Sequence, residues 1–453
     1  MLDLVRSVDM GRQFKFFLKQ GVGAPPVTCV KKGDKVKRGQ VIADYEPEKL
    51  SVPLHTSVTG TVTDVQEDYI TVEAEGNPSV NDDYVKLEPG KDDAETVRKA
   101  GILGMGGAGF PAYVKMNTDL KGKDGYILCN AAECEPILDH NMTQIMEETD
   151  ALISGMQIAM KSTGATKGII GIKLKHKEEI KHINGILKEK GIKDIRILPL
   201  RNIYPVGEER ALVRDTVNKL LPPGALPAEA NCVVFNIETL CCIHHAVKDL
   251  KPCIDKYVTV AGKFKKFTEK GQKEVIHIPY GMMIDDIVED FGGLDEPVGE
   301  ILIGGPYTGR RNKENNSIYK LYGGVTATEP FQEAKGPMGI IQCACGPAKE
   351  RLYEIAQSLG QEPIDYRVCK NAVEQKNGTY KCKDPGNCPG QAEHILAFKK
   401  QGCESVLIGH CTDCSNTVMA SAPKAGLEVN HATDTALRTM GMPLIRKFDE
   451  NAL

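Results

Sequence analysis

Between residues 26 and 75 the chain alternates apolar and polar positions in two similar halves, PVTCVKKGDKVKRGQVIADYE and VPLHTSVTGTVTDVQEDYITVE, each turning at a glycine. Period-two runs this short predict β-strands, and the two halves together predict a small β-sandwich. From about 96 to 245 apolar runs (GYILCNA, KGIIGIKLK, DIRILPL) alternate with stretches of helical period, MTQIMEETDALISGMQIAMKSTG and HKEEIKHINGILKEKG. That order predicts a parallel α/β sheet. Residues 255 to 305 (KYVTVAGKF, VIHIPYGMMIDDIVEDFGGL, EILIGGP) predict a β-grasp, short strands around one helix. From about 336 the alternation returns with GIIQCAC, AKERLYEIAQSLG, QAEHILAFKKQG, CESVLIGH and a helix near SNTVMASAPKAG. The expectation is a multidomain α/β protein divided at 1–95, 96–250, 251–335 and 336–453. At 453 residues each block is expected to bury its own core, and with no low-complexity linker the blocks should be packed rather than tethered.

Composition narrows the function classes. Hydrophobic residues make up 41% and charged residues 26%, with no run of about 18 apolar residues, so the chain reads as soluble and not as an integral membrane protein. The start MLDLVRSVDMGRQFKFFLKQ has no apolar signal region, which points to the cytoplasm. A net charge of −4 argues against nucleic acid as partner. Fifteen cysteines in a reducing compartment read as thiols, metal ligands or redox pairs, and six of them fall from Cys369 onward.

The densest chemical signal is GILGMGGAGFPAYVK, with Gly104, Gly106, Gly107 and Gly109 around Met105 and Ala108. Glycines let backbone N–H groups approach a phosphate, especially where a helix begins, but a tight loop under a helix needs them too. Three further stretches follow in order: CNAAECEPILD at 129–139, YPVGEERALV at 204–213 and ALPAEANCVVFNIETL at 225–240. Together the four motifs resemble the NADH- and flavin-binding subunit of respiratory complex I, and more closely the RnfC-like electron-transfer flavoproteins. The sandwich and the β-grasp match that pattern as well, as a barrel-sandwich hybrid (lipoyl-like) and an SLBB-like domain, so the resemblance covers residues 20 to about 330. In carrier domains of the same sandwich a lysine at the hairpin tip holds a prosthetic group. Lys49 lies in that region but lacks the usual flanking residues, and a plain structural sandwich is favoured.

The resemblance implies FMN, with its phosphate on Gly104–Gly109, Lys115 nearby, and Asn130, Glu133, Gly207, Glu208, Glu209 and Asn236 around the ring and ribityl chain. It also implies NADH as donor. Met105, Ala132 and Cys134 depart from the complex I pattern, where arginine, aspartate and glycine are usual. For Glu133 and Glu135 the alternative is a solvated or helix-terminal acidic pair.

The RnfC-like family usually continues into two C-x-x-C-x-x-C-x-x-x-C-P runs that hold cubane clusters, and neither run occurs in this sequence. Cys343 and Cys345 stand instead in GIIQCACGPAKE, where Pro347 suits the first helical position and would place Cys345 near a helix N-terminus that favours a thiolate. Cys345 is thus the expected nucleophile and Cys343 its partner in a reducible pair, against two small residues that merely end a strand. Cys382, Cys388, Cys411 and Cys414, with His410, fit either a four-thiolate metal site or a second dithiol at Cys411 and Cys414. Cys241, Cys242, His244 and His245 sit on a predicted helix, where consecutive residues diverge, so core packing is favoured there over a metal site.

An RnfC-like body with thiols in place of clusters resembles the branch associated with bacterial D-proline reductase, a branch in which selenocysteine can occupy a redox position. This implies an NADH-dependent oxidoreductase that passes electrons through FMN and cysteine pairs to proline reductase or a similar reductase complex. The alternatives are an RnfC-type or cobalamin-reductase subunit with another acceptor, and a non-catalytic docking adaptor that has lost its flavin.

Overall fold

The computed structural model describes residues 12–122 and 124–446. The expectation of no export signal rests partly on residues 1–11, which lie outside the described residues. The sandwich forms as two antiparallel sheets. One contains Gln13–Phe17, Tyr69–Ala74, Gly60–Val65 and Lys35–Val36, the other Val27–Thr28, Val41–Asp44 and Leu54–His55. Alternation does its work along Tyr69–Ala74, where Ile70, Val72 and Ala74 point inward. The expectation that each block has its own core does not hold for this one. Phe14, Phe16, Ile42 and Val72 pack in one continuous cluster with Val258, Val260, Tyr280 and Ile284 of the β-grasp. A sandwich this small buries too little surface alone. Lys15 N–H donates to Gly281 O at 2.8 Å, and a buried Arg38–Asp255 ion pair at 2.7 Å joins the same two blocks. Lys49 is exposed and paired with Glu46 at 2.5 Å. Its turn is fastened to the helix Asp93–Lys99, because Arg98 donates to the carbonyls of Lys49 and Ser51 at 2.9 and 3.2 Å. It is not a free carrier tip.

The central sheet is wholly parallel, in the order Ile195–Leu200, Lys167–Lys173, Tyr126–Ala131, Cys232–Asn236. The long helix His140–Thr163 and the helix Ile237–His244 pack on it together. They touch backbone to backbone at Gly155, where a Cβ would stand 1.9 Å from Leu240 O. The β-grasp is a five-stranded mixed sheet in the order Lys273–Pro279, Asp255–Gly262, Gly324–Ala327, Ile301–Ile303, Arg310–Arg311, with the helix Ile284–Asp290. The last block is a second parallel sheet, in the order Pro363–Val368, Met338–Gln342, Ser405–Ile408, Glu428–His431. The helices Lys349–Ser358, Ala392–Lys400 and Thr412–Ser421 accompany it. Among the described residues no helix is long and apolar enough to cross a membrane.

Candidate functional site

Parallel sheets place their chemistry beyond the carboxyl ends of the strands. At that edge of the central sheet lie Asn130, Glu133, Lys173, Tyr204 and Asn236. The glycine loop closes over the same edge through the Leu103–Pro111 bridge and Gly104 N–H donating to Phe110 O at 2.8 Å. Met105 N–H is also engaged, with Thr239 Oγ1 at 3.0 Å. Gly104 therefore shapes the loop and does not offer its own N–H, a correction to the expected span. The exposed part is Gly106, Gly107 and Ala108. A Cβ built on Gly107 meets nothing within 4 Å, which leaves an open cradle. The sandwich braces this loop from behind. Val22 N–H donates to Gly109 O at 3.1 Å, and a Cβ on Gly109, whose φ is +71°, would lie 2.7 Å from Gly21 Cα.

Lys115 Nζ, on the short helix Ala112–Met116 that follows the loop, bonds Val234 O at 2.9 Å and Glu209 at 3.3 Å. Asn236 caps the helix Ile237–His244 by accepting from Glu238 N–H at 2.8 Å, and its amide nitrogen would lie 2.8 Å from a Cβ on Gly106. Asn130 donates to Gly207 O at 2.8 Å, and Gly207 N–H donates to Cys134 Sγ at 3.2 Å. A Cβ on Gly207 would press within 2.5 Å of Ala132 O, so only glycine lets these two turns close. Glu208 is a helix cap: it accepts from Arg210 and Ala211 N–H at 2.9 and 3.0 Å. The motif alone could not show this, because glutamate is an uncommon N-cap.

The two acidic residues of NAAECEP separate. Glu133 folds over its own loop, accepting from Glu135 N–H at 2.9 Å and Asn141 at 3.2 Å, and burial raises its pKa. Glu135 instead reaches the β-grasp, accepting from Tyr307 N–H at 2.7 Å and from Thr308 N–H and Oγ1 at 2.9 and 2.7 Å. Burial pushes its pKa up to about 7. Lys173, buried at the end of its strand and electrostatically coupled to Glu133 and Cys134, is a residue that sequence reasoning missed. Its signal was a lone lysine closing the run GIIGIK.

The thiols gather at the carboxyl edge of the second sheet. Cys343 follows Met338–Gln342, Cys369 follows Pro363–Val368, and Cys411 comes just after Ser405–Ile408. The expected geometry of Cys345 is not found. The helix runs Lys349–Ser358 with Ala348 as its cap, so Pro347 precedes it and Cys345 lies outside the first turn. The charge also falls the other way. Hydrogen bonding from Cys345 and Cys369, with His410 nearby, favours a thiolate on Cys343, whereas Cys343 and Cys382 hold Cys345 protonated. Nor do Cys382, Cys388, Cys411 and Cys414 converge as a metal tetrad. Among the described residues, the group of three whose ligand atoms lie within 4.8 Å of one another is His244, His245 and Asp249.

The structure pairs Cys388 with Cys414, and not Cys411 with Cys414. The half-buried Cys388 sulfur faces Cys414 and accepts from Gly390 N–H at 3.3 Å and Gln391 at 3.4 Å, with the Thr417 hydroxyl at 3.3 Å. These contacts, led by that from Cys414, lower its pKa to about 6 despite burial. Cys414 Sγ in turn lies 3.0 Å from His410 Nδ1. His410 Nε2 is 2.7 Å from Ile341 O, so the carbonyl fixes the proton on Nε2 and leaves Nδ1 as a proton acceptor beside the Cys414 sulfur, whose own hydrogen bonds Cys388.

The two edges meet. The Tyr204 hydroxyl donates to Cys345 O, Tyr204 N–H donates to Thr412 Oγ1 at 2.9 Å, and Thr412 N–H donates to Tyr204 O at 3.0 Å. Arg210 donates to Cys382 O at 2.5 Å, and Arg214 pairs with Asp384 at 2.8 Å. Cys134 and Cys345 both pack against the cluster that holds Tyr204, Tyr307 and Cys411.

Known proteins match part of this chain. Residues 97–245 match the Nuo51 FMN-binding domain, and residues 3–81 match the RnfC barrel sandwich hybrid domain. One component of the Na(+)-translocating ferredoxin:NAD(+) oxidoreductase complex of Acetobacterium woodii is 32% identical over 305 residues, covering 64% of this chain and 66% of that protein. Its counterpart in the proton-translocating ferredoxin:NAD(+) oxidoreductase complex of Clostridium ljungdahlii is 31% identical over 311 residues, covering 64% and 65%. Cobalamin reductase PduS of Salmonella typhimurium is 33% identical over 234 residues, covering 51% and 48%. The chain thus spans just under two thirds of the first two relatives and about half of the third. With an RnfC barrel sandwich hybrid domain joined to a Nuo51 FMN-binding domain, the chain is RnfC-like.

Proposed function

We propose that the protein is a cytoplasmic, NADH-dependent electron-transfer flavoprotein whose outlet is the thiol cluster of its last domain. One observation carries the reading: the thiol edge is bonded directly to the Nuo51-type domain, through Tyr204 to Cys345 and through Arg210, on the helix Glu209–Val217, to Cys382. The residues present fit FMN. The open backbone at Gly106–Ala108, followed by the helix that carries Lys115, suits a phosphate, and Asn236 and Asn130 offer polar groups on the adjoining strand ends. FMN, when bound, would supply two-electron chemistry between nicotinamide and thiols. The chain's own residues would hold the dinucleotide's charge with Lys173 and keep the dithiols shielded from water. Reducing one disulfide to two thiols consumes two electrons and two protons, which NADH and one solvent proton provide.

The acceptor assigned is an amino-acid reductase, D-proline reductase first, on the PrdC-like joining of an RnfC-like body to a thiol-rich domain. The similarity to PduS supports a cobalamin acceptor as second reading. The test is to oxidise the thiols of the purified chain with diamide, remove the oxidant, reconstitute with FMN, add NADH anaerobically and count thiols by mass labelling. A gain of two thiols per NADH, with Cys388 and Cys414 among them, is expected. Bleaching of flavin with no change in thiol count would overturn the outlet. Transfer to cob(III)alamin but not to proline reductase would install the second reading.

A further inference from the structure

The helix Ile237–His244 does not end as a regular helix. It runs into a π-turn, His245–Asp249, whose wider spacing carries Asp249 back under the two histidines. Asp249 Oδ2 lies 2.8 Å from His245 Nδ1 and 4.0 Å from His244 Nε2, and the three ligand atoms all fall within 4.8 Å of one another. Consecutive residues on a regular helix diverge by about 100°, which is why the sequence favoured core packing here. That reading holds for Cys241, fully buried, and fails for the histidines.

We propose that His244, His245 and Asp249 bind a divalent transition-metal ion of the zinc class, with Glu148 orienting His245 from behind. Two imidazoles and a carboxylate are a donor set such ions accept, with solvent filling the remaining positions. Zinc with bonds of about 2.0–2.2 Å sets neighbouring ligand atoms roughly 3.3 Å apart, so the His244–Asp249 pair needs to close by about 0.7 Å and the His245–Asp249 pair to open by about 0.5 Å.

The supporting shell is already built. His245 Nε2 lies 3.3 Å from Glu148 Oε1, and Gln144 donates to the other Glu148 oxygen at 2.8 Å. A carboxylate on the far ring nitrogen fixes a histidine's orientation toward its metal. Glu148 comes from the break in the long helix, where its φ is −126° and ψ 30°. An ion here would therefore tie that helix to the one capped by Asn236. Both histidines are half-buried and Asp249 is exposed, so an ion can enter. No cysteine belongs to the set, and the proposal does not depend on the flavin.

Cobalt(II) is the probe, because thiolate coordination gives intense charge-transfer bands that nitrogen and oxygen ligands lack. The full chain should take up roughly one cobalt with a nitrogen–oxygen spectrum, displaced by zinc. His244→Ala and Asp249→Asn should abolish that signal, and Glu148→Gln should keep it while weakening affinity about 10–100-fold. Cys388→Ser should leave it intact. Cobalt bound only with thiolate bands would overturn the site, as would an unchanged nitrogen–oxygen spectrum in Asp249→Asn. That exposed substitution keeps the test decisive should His244→Ala fold poorly.

Discussion

Tyr204 and Tyr307 lie face to face, ring centres 3.6 Å apart and planes within 3°, where the Nuo51-type domain meets the β-grasp. His431 of the last domain stands edge-on to Tyr307 at 5.5 Å, and the Tyr204 hydroxyl bonds Cys345 O. Three blocks converge on one aromatic pair. Its position between the glycine-loop edge and the thiol edge makes it the mechanical coupling of the proposed route.

Removing that coupling should separate stability from cofactor binding. Tyr204→Phe keeps the stack and loses one hydrogen bond, a cost of about 0.5–1.5 kcal/mol. Tyr204→Ala empties a buried aromatic position, which costs about 3–5 kcal/mol. Hydrogen exchange should rise at 382–388 and 411–414 in the alanine variant, while FMN content stays at the wild-type level. Equal protection in both variants would show that the docking of the last domain rests elsewhere.

The cradle makes a prediction that depends on which glycine is changed. Gly107 has open space above it, so Gly107→Val should fold normally yet lose FMN affinity at least tenfold. Gly109 has a φ of +71° and sits against the backbone of Gly21, so Gly109→Val should lower the melting temperature whether or not FMN is present. Calorimetry and flavin titration on the pair separate the roles. Full flavin affinity in Gly107→Val would remove the phosphate from this loop.

Cys388 should be the most acidic of the exposed or half-buried thiols. Its pKa falls from 9.0 to about 6, so alkylation at Cys388 should reach half its maximum near pH 6, below the other exposed or half-buried thiols. The sign for stability follows: the folded form ionises more readily, so Cys388 contributes stability fully present above pH 9 and lost as pH falls through about 6. Mass-resolved iodoacetamide labelling against pH tests this. A Cys388 profile that follows the bulk thiols would return it to an ordinary structural cysteine.

Much of this was legible in the sequence wherever a local pattern dictates structure. The alternation around Ile70 and Val72 predicted strands, and runs such as GIIGIK between amphipathic helices predicted the parallel sheet that set Asn130 and Asn236 on one edge. The strand Pro363–Val368 escaped because PIDYRV carries Asp and Arg on a half-exposed edge, with no apolar run to mark it. Pairings set by long-range closure escaped as well. Cys388 meets Cys414 only because the loop before Gln391 is pinned by Cys388 N–H donating to Asp413 at 2.6 Å. In the sequence, the C-x-x-C spacing of Cys411 and Cys414 marks those two as the dithiol instead. The π-turn that brings Asp249 to His245 has no simple residue signature, so helical periodicity read the two histidines as divergent.

The contact between His410 and Cys414 predicts how the Cys388 pair would turn over. When the Cys388 thiolate attacks an aromatic disulfide probe, one arylthiolate leaves and a mixed disulfide remains on Cys388. Release of the second arylthiolate requires Cys414 as a thiolate, and its proton has an acceptor in His410 Nδ1 at 3.0 Å. The Ile341 carbonyl holds His410 in the tautomer that can accept it. At pH 6.5, where Cys388 is ionised and most other thiols are protonated, the wild-type chain should release two arylthiolates in the fast phase. Cys414→Ser should release one and stay covalently labelled at Cys388, and Cys388→Ser should show no fast phase. His410→Gln should give the first release at the wild-type rate and slow the second by at least tenfold. Raising the pH should narrow that deficit, because solvent base then ionises Cys414 directly. If the second release in His410→Gln keeps its wild-type rate at pH 6.5, the imidazole only packs against the sulfur and the pair resolves without it.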